Sequence, residues 1–400
     1  MLNKFFLMFR DGCLILGIIL LLIITLEFGS KFYFFCNSDL GPSQRNEEKR
    51  RAYTIKSYHM YKNYSWLNDF VNEECECTEF IWEPYFYWKS KNCSGEYVST
   101  DSNGNRKTYN QIPLREAEIK IYMFGGSTLW GEAARDDYTI PSYVSKILFE
   151  KGYDNFYIVN YGVPAHVSTQ ELIRLLMELR DGNVPEICIF YDGVNDIIST
   201  SQNSRAGVTI GEITRNREFN RNTDKIIGNA DWLKILSQKS SVINLYYQLS
   251  GSSGAMKSFW QQGRKKKVAN RNLFKESLVD ETVSAYLSNT KLIKTLLESH
   301  NAEPYFFWQP SLFSKKNYSS AEEKIIRKTK RGFKEFNNRV YKKISLIKPS
   351  EDFVDLQNVF GENKDDLFID IFHKTEDANR IVAEAISAHL IKNSKFLRKN

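Results

Sequence analysis

The chain has 400 residues, 42% of them hydrophobic and 26% charged, which suffices for a sizeable core and excludes a disordered polypeptide. The net charge of +7 is spread over the whole length and makes no focused nucleic-acid surface. The length exceeds one average domain, so one large domain with an anchor and accessory segments is expected.

From Gly12 to Leu26 the sequence carries no charge and is dominated by Leu and Ile, between Arg10-Asp11 and Glu27. A spanning helix needs about 20 apolar residues, and Phe5 to Phe9 and Phe28 to Phe35 supply the remainder if flanking charges snorkel. A cleaved signal peptide is the rival, but no Ala-x-Ala-like site follows Leu26, so residues 1–35 are expected to be an uncleaved transmembrane anchor. Basic residues lie on both sides of this stretch, which leaves its orientation weakly determined.

Residues 36–115 are polar, aromatic and turn-rich, with Asp101 to Asn105 a loop signal, and read as a juxtamembrane lead-in. Cys36, Cys75, Cys77 and Cys93 all precede residue 116. They are either free thiols or two bridges, and bridges would place the bulk of the chain in an oxidising, extracytoplasmic compartment. Cys75-Glu76-Cys77 lacks the spacing and histidines of a zinc site, so no metal is expected.

A different regime runs from 116 to about 395. Strands are expected at Ile119–Phe124, Phe156–Asn160, Ile187–Tyr191, Pro304–Trp308 and Phe353–Leu356. Helices are expected at Ile140–Glu150, from Ser168 with a Ser168-x-x-Glu171 capping box, at Leu273–His300, Ala321–Ile347 and Thr375–Ile391. The alternation predicts a three-layer α/β/α sandwich around a parallel sheet, with ligands at the carboxyl ends of the strands. It lapses between 197 and about 269, where an insertion containing an amphipathic helix at Asp231–Leu249 is expected. The basic stretches Arg264–Lys267 and Lys392–Lys399 read as solvated faces.

Gly125-Gly126-Ser127-Thr128 follows the first strand directly, so Ser127 is presented at a strand end where glycines permit a tight turn. It is not a G-x-S-x-G elbow, because Leu129 stands two positions after the serine. A serine hydroxyl needs a base, and the base needs an orienting group. Asp370-Ile371-Phe372-His373 offers both just ahead of the last helix. Gly193-Val194-Asn195-Asp196 follows the third strand, and Asn160-Tyr161-Gly162 the second.

Gly-Gly-Ser-Thr, Gly-x-Asn-Asp and a late Asp-x-x-His in this order resemble the SGNH (GDSL-like) hydrolase family, over about 117–200 and 350–392. The resemblance implies a flavodoxin-like sandwich and a triad of Ser127, His373 and Asp370. It implies an oxyanion hole of the Ser127 and Gly162 amides with the Asn195 side chain, and no metal or organic cofactor. One departure is Gly126 where the family commonly has Asp.

The reading is a membrane-anchored esterase acting through an acyl-enzyme on Ser127, with O-acyl groups of polysaccharides outside the cytoplasm as a substrate class, and no nucleic-acid partner. Two other classes stay open: an O-acyltransferase with the same triad, and a silent glycan-binding or assembly protein. His166 and Trp130 are placed as substrate-lining residues, with a surface-loop histidine and simple packing as the alternatives. Glu132 and Arg135 are explained equally by substrate contact and by helix-start electrostatics. His59, His300 and His389 show no acidic partner at a telling spacing, and Asp196 is expected to brace its own loop.

Overall fold

The computed structural model describes residues 2–36, 42–216, 242 and 276–398. The amphipathic helix expected at 231–249 and the basic stretch at 264–267 lie outside the described residues, Val242 excepted. The chain divides into two compact units, residues 1–50 with 215–269, and residues 51–214 with 270–400.

In the first unit, helix α1 (Leu2–Cys36) contains Phe9–Lys31, 23 residues with mean hydropathy 2.5. It is long and apolar enough to cross a membrane, because 23 residues at 1.5 Å rise exceed a hydrocarbon core of about 30 Å.

The rest of the described chain comprises α2 (Pro42–Ser57), α3 (Leu67–Cys77), an antiparallel hairpin of β1 (Phe80–Glu83) and β2 (Tyr87–Ser90), then β3 (Ile119–Gly125), the one-turn helix α4 (Ser127–Trp130) and α5 (Ile140–Glu150). There follow β4 (Phe156–Asn160), α6 (Ser168–Arg180), β5 (Ile187–Asp192), α7 (Val194–Asn203), α8 (Glu276–Glu298) and β6 (Glu303–Trp308). The series closes with α9 (Ser320–Lys328), α10 (Arg331–Ile344), β7 (Phe353–Asp355) and α11 (Glu376–Asn393).

Strands β3 to β7 form one parallel sheet in the order β4-β3-β5-β6-β7. This is the flavodoxin-like order 2-1-3-4-5, whose direction reverses between the first and third strands. Both faces of the sheet are covered, so its strands are near-continuous apolar runs rather than alternating ones. On one face Val144, Leu148, Val382, Ile386 and Leu390 of α5 and α11 pack on Ile121, Ile189 and Phe307. On the other, Leu175, Val279, Tyr286, Phe336 and Val340 of α6, α8 and α10 pack on Phe124, Phe190 and Trp308.

Three expectations are corrected here. The single helix at Ala321–Ile347 is two, because Ile325 and Ile326 join the first apolar layer while Phe333, Phe336 and Ile344 join the second, on opposite faces of the sheet. One straight helix cannot serve both. Glu171 caps nothing: Gln170 Oε1 accepts from Val167 N at 3.2 Å, and the Ser168 hydroxyl goes to Asp196. The lapse after β5 begins later than expected, since α7 runs to Asn203.

The segment before the sheet packs into the same unit. Tyr58, Tyr61, Phe70 and Val71 form a third apolar cluster with Trp130, Ala133 and Ile369. A Cys77–Cys93 disulfide closes its hairpin region, with Cα atoms 5.4 Å apart, so these two form one bridge of the two envisaged.

The loop between β7 and α11 is held by a buried ion pair. Lys315 Nζ meets Glu322 Oε2 at 2.6 Å with both side chains fully buried, and Glu322 Oε1 accepts from the amides of Leu367 and Phe368 at 3.0 and 3.2 Å. Removing one partner strands a buried charge. Glu322→Ala is therefore expected to destabilise the unit by roughly 3–5 kcal/mol in urea denaturation, and Glu322→Gln, which keeps an acceptor for the two amides, by less.

Candidate active site

The sheet order places the carboxyl ends of β3 and β5 side by side, at the point where ligands bind in this architecture. Ser127 follows β3 after Gly126 and opens α4; it is 9% exposed. Asn195 follows β5 after Gly193, whose φ of +113 suits glycine and where a Cβ would lie 2.7 Å from the Trp308 ring. The Asn195 amide lies against the nucleophile turn. A Cβ on Gly126 would stand 2.1 Å from Asn195 Nδ2, so with glycine there the Asn195 amide keeps its present place against the turn.

His373 and Asp370 come from the loop before α11, whose N-cap Thr375 accepts from Ala378 N at 3.2 Å. Ser127 Oγ lies 2.7 Å from His373 Nε2, and His373 Nδ1 lies 2.7 Å from Asp370 Oδ2. The other oxygen of Asp370 accepts from the amides of Phe372 and His373, at 2.7 and 2.8 Å. Ser127, His373 and Asp370 thus form one hydrogen-bonded line, the geometry in which a carboxylate orients an imidazole and the imidazole takes a hydroxyl proton.

Burial opposes charge on His373, but the carboxylates of Asp370 and then Glu132 outweigh it and hold the imidazole up at about 9. For Asp370, lost solvation works against the carboxylate, yet the adjoining imidazolium and the backbone amides prevail and hold it at about 2. Burial brings the neighbouring Lys374 amine down to about 7; its Nζ donates to Phe372 O at 2.9 Å.

The other expected residues fall differently. Asn195 Nδ2 donates to His166 O at 2.7 Å, and since an amide nitrogen carries two hydrogens one remains for a ligand. The single amide proton of Gly162 goes to Asn160 Oδ1 at 2.9 Å, so the donor expected there is already engaged. What Gly162 contributes is room: a Cβ would meet Trp130 N at 2.5 Å.

His166 is neither a surface histidine nor a pocket residue. It is 1% exposed, edge-on to Phe86 and Trp88 of the hairpin region, with Nε2 2.9 Å from Trp88 O, and burial lowers its pKa to about 3. Trp130 is fully buried beneath Arg106, whose guanidinium lies 4.2 Å from the ring, so it packs rather than lines a pocket. Arg135 is committed to Glu376, with Nη2 2.7 Å from Oε2, and His59, which shows no acidic partner at a telling spacing in the sequence, meets Asp366 from far along the chain at 2.9 Å. Asp196 does brace its loop, accepting from Ser168 Oγ at 2.7 Å, and burial pushes it up to about 6.

Sequence reasoning missed the groups that hold the loop after the nucleophile. Buried Arg106 donates to Asp136 Oδ1 at 2.6 Å and to Ala134 O at 2.8 Å; buried Glu74 accepts from Ala133 N at 2.6 Å and from the Tyr58 hydroxyl at 2.6 Å. Both lie in the turn-rich stretch before the sheet, where no periodicity singles them out. Among the described residues there is no His, Cys, Asp and Glu cluster suited to a metal.

No protein-family model matches the chain, and no curated protein does. Among solved structures, it is similar to an acetyl xylan esterase, AlAXEase, at 14% identity over 68% of this chain and 100% of that one, TM-score 0.36. It is also similar to an acetyl-xylooligosaccharide esterase from Geobacillus stearothermophilus, at 16% identity over 72% and 100%, TM-score 0.35. A lipase from a goat rumen metagenome matches at 8% identity over 68% and 97%, TM-score 0.38. At such identities and TM-scores the neighbours' activities do not transfer to this chain.

Burial, and then the nearby Glu132 charge, raise Glu74 to about 7. A carboxyl whose folded value lies above its unfolded one stabilises fully below the unfolded value, about 4.3, and loses that contribution as pH rises through 7. Glu74→Gln keeps an acceptor for Ala133 N without the charge. Its stability relative to the unaltered protein is expected to be better at pH 8 than at pH 5 in denaturant titrations, and Glu74→Ala, which also strands that amide, is expected to lie about 2 kcal/mol below Glu74→Gln at both.

Proposed function

We propose that this chain is a serine esterase of the SGNH type, in which Ser127 is the nucleophile, His373 the general base and Asp370 its orienting carboxylate. The observation that carries the reading is the pair of 2.7 Å contacts from Ser127 Oγ to His373 Nε2 and from His373 Nδ1 to Asp370 Oδ2. A silent binding protein has no need of an activated hydroxyl at a strand end.

In the reaction proposed, Ser127 Oγ attacks the ester carbonyl while its proton passes to His373 Nε2. The oxyanion is received by the Ser127 amide and the free hydrogen of the Asn195 amide group, beside Gly126, which carries no side chain. The intermediate collapses as the imidazolium gives its proton to the departing alkoxide, and water releases the acyl group by the reverse relay. An acceptor hydroxyl replacing that water would make the same site a transferase.

The substrate class we assign first is an O-acylated polysaccharide outside the cytoplasm. The Cys77–Cys93 disulfide supports an oxidising compartment, and the apolar stretch Phe9–Lys31 supports anchoring or export.

The protein is expected to release acetate from p-nitrophenyl acetate and to label with a fluorophosphonate on Ser127, and Ser127→Ala to lose both. Asn195→Ala should lower kcat by about 100-fold or more with little change in KM. Equal release by the unaltered protein and Ser127→Ala would end the proposal. Added carbohydrate acceptors that increase acyl transfer at the expense of free acetate would select the transferase form.

A further inference from the structure

His373 Nε2 has two close neighbours. Ser127 Oγ lies at 2.7 Å and Glu132 Oε2 at 3.2 Å. Nδ1 is committed to Asp370, so Nε2 presents a lone pair when the ring is neutral and an N–H when it is charged. The lone pair accepts from the serine hydroxyl but repels a carboxylate. Only the imidazolium satisfies both neighbours.

Glu132 is built into this place. Its own amide donates to Ser127 O at 3.0 Å. The next residue, Ala133, has φ +67, a left-handed conformation that costs energy without glycine, and the Glu74 carboxylate holds its amide there. Arg106 fixes Ala134 and Asp136 beyond it. The Glu132 side chain keeps 38% exposure, so it has room to leave when a substrate enters.

We propose that Glu132 is a positioning residue that competes with Ser127 for Nε2 of His373 and so sets the pH at which the ring is free to act as a base. The inference rests on the esterase reading for its consequence, though not for its measurement. The groups facing this pair are Asp370 and Lys374 from the ring's own loop, and Glu74 and Tyr58 from the segment packed behind Glu132. Asp370 and Glu132 favour the charged ring and Lys374 opposes it.

In the free enzyme at neutral pH, the Nε2 proton is shared between Oγ and Oε2, and it must pass to solvent before Ser127 can give up its own. A substrate that displaces Glu132 from the ring therefore restores the base, and a neutral alcohol moiety does so without the repulsion that an anionic one meets.

Glu132→Gln keeps the size and removes the charge. With histidine ring carbons labelled, and His373 assigned through His373→Gln, the NMR titration midpoint of His373 in the free protein is expected to fall by about one pH unit. The ascending limb of kcat/KM for p-nitrophenyl acetate should shift equally, raising the rate at pH 7 by up to about tenfold without raising the alkaline plateau. Glu132→Asp, which withdraws the carboxylate by one methylene, should fall between. A midpoint within about 0.2 unit of the unaltered protein in folded Glu132→Gln would overturn the proposal. A shifted midpoint in a protein that turns over no ester would instead leave Glu132 as assigned and remove the esterase reading.

Discussion

One imidazole has to meet a hydroxyl that stands 246 positions earlier in the chain. Every other feature of the site serves that meeting or depends on it. The parallel sheet provides the near half, because β3 and β5 are neighbours and their carboxyl ends put Ser127 beside Asn195. The far half arrives on a loop without regular structure, which the buried Lys315–Glu322 pair and the Thr375 cap hold against the sheet.

Much of the site's rigidity comes from a segment with no strand in the main sheet. Arg106 and Glu74 reach the loop after Ser127 from residues before β3 and spend their polar groups on its backbone and the Asp136 carboxylate, while Tyr58 donates its hydroxyl to Glu74 from behind. Buried polar groups are costly unless satisfied, so a network of this kind specifies one arrangement of the loop it binds. The hairpin does the same on the other side: Trp88 O accepts from His166 Nε2, Trp88 Nε1 donates to Pro164 O, and His166 O receives the Asn195 amide.

The charge balance follows from the same packing. Two carboxylates approach opposite nitrogens of His373, and burial alone would discharge the ring. The surrounding acids win because Asp370, and then Glu132, outweigh that burial, while Lys374 opposes them only weakly.

The sequence by itself determined the strands, most of the helices and the order of Ser127, Asn195, Asp370 and His373, because apolar period and glycine-bearing turns at strand ends are local properties. It made the apolar N-terminal helix legible for the same reason. Only the tertiary structure decided which side chains are partners across the chain. That Gly162 spends its amide on Asn160, that His166 and Trp130 lie buried, that His59 meets Asp366 and that Glu132 faces His373 depend on strand order and loop packing. The helix expected at 321–347 splits because its halves serve opposite sheet faces, and a hydrophobic period does not tell one face from the other.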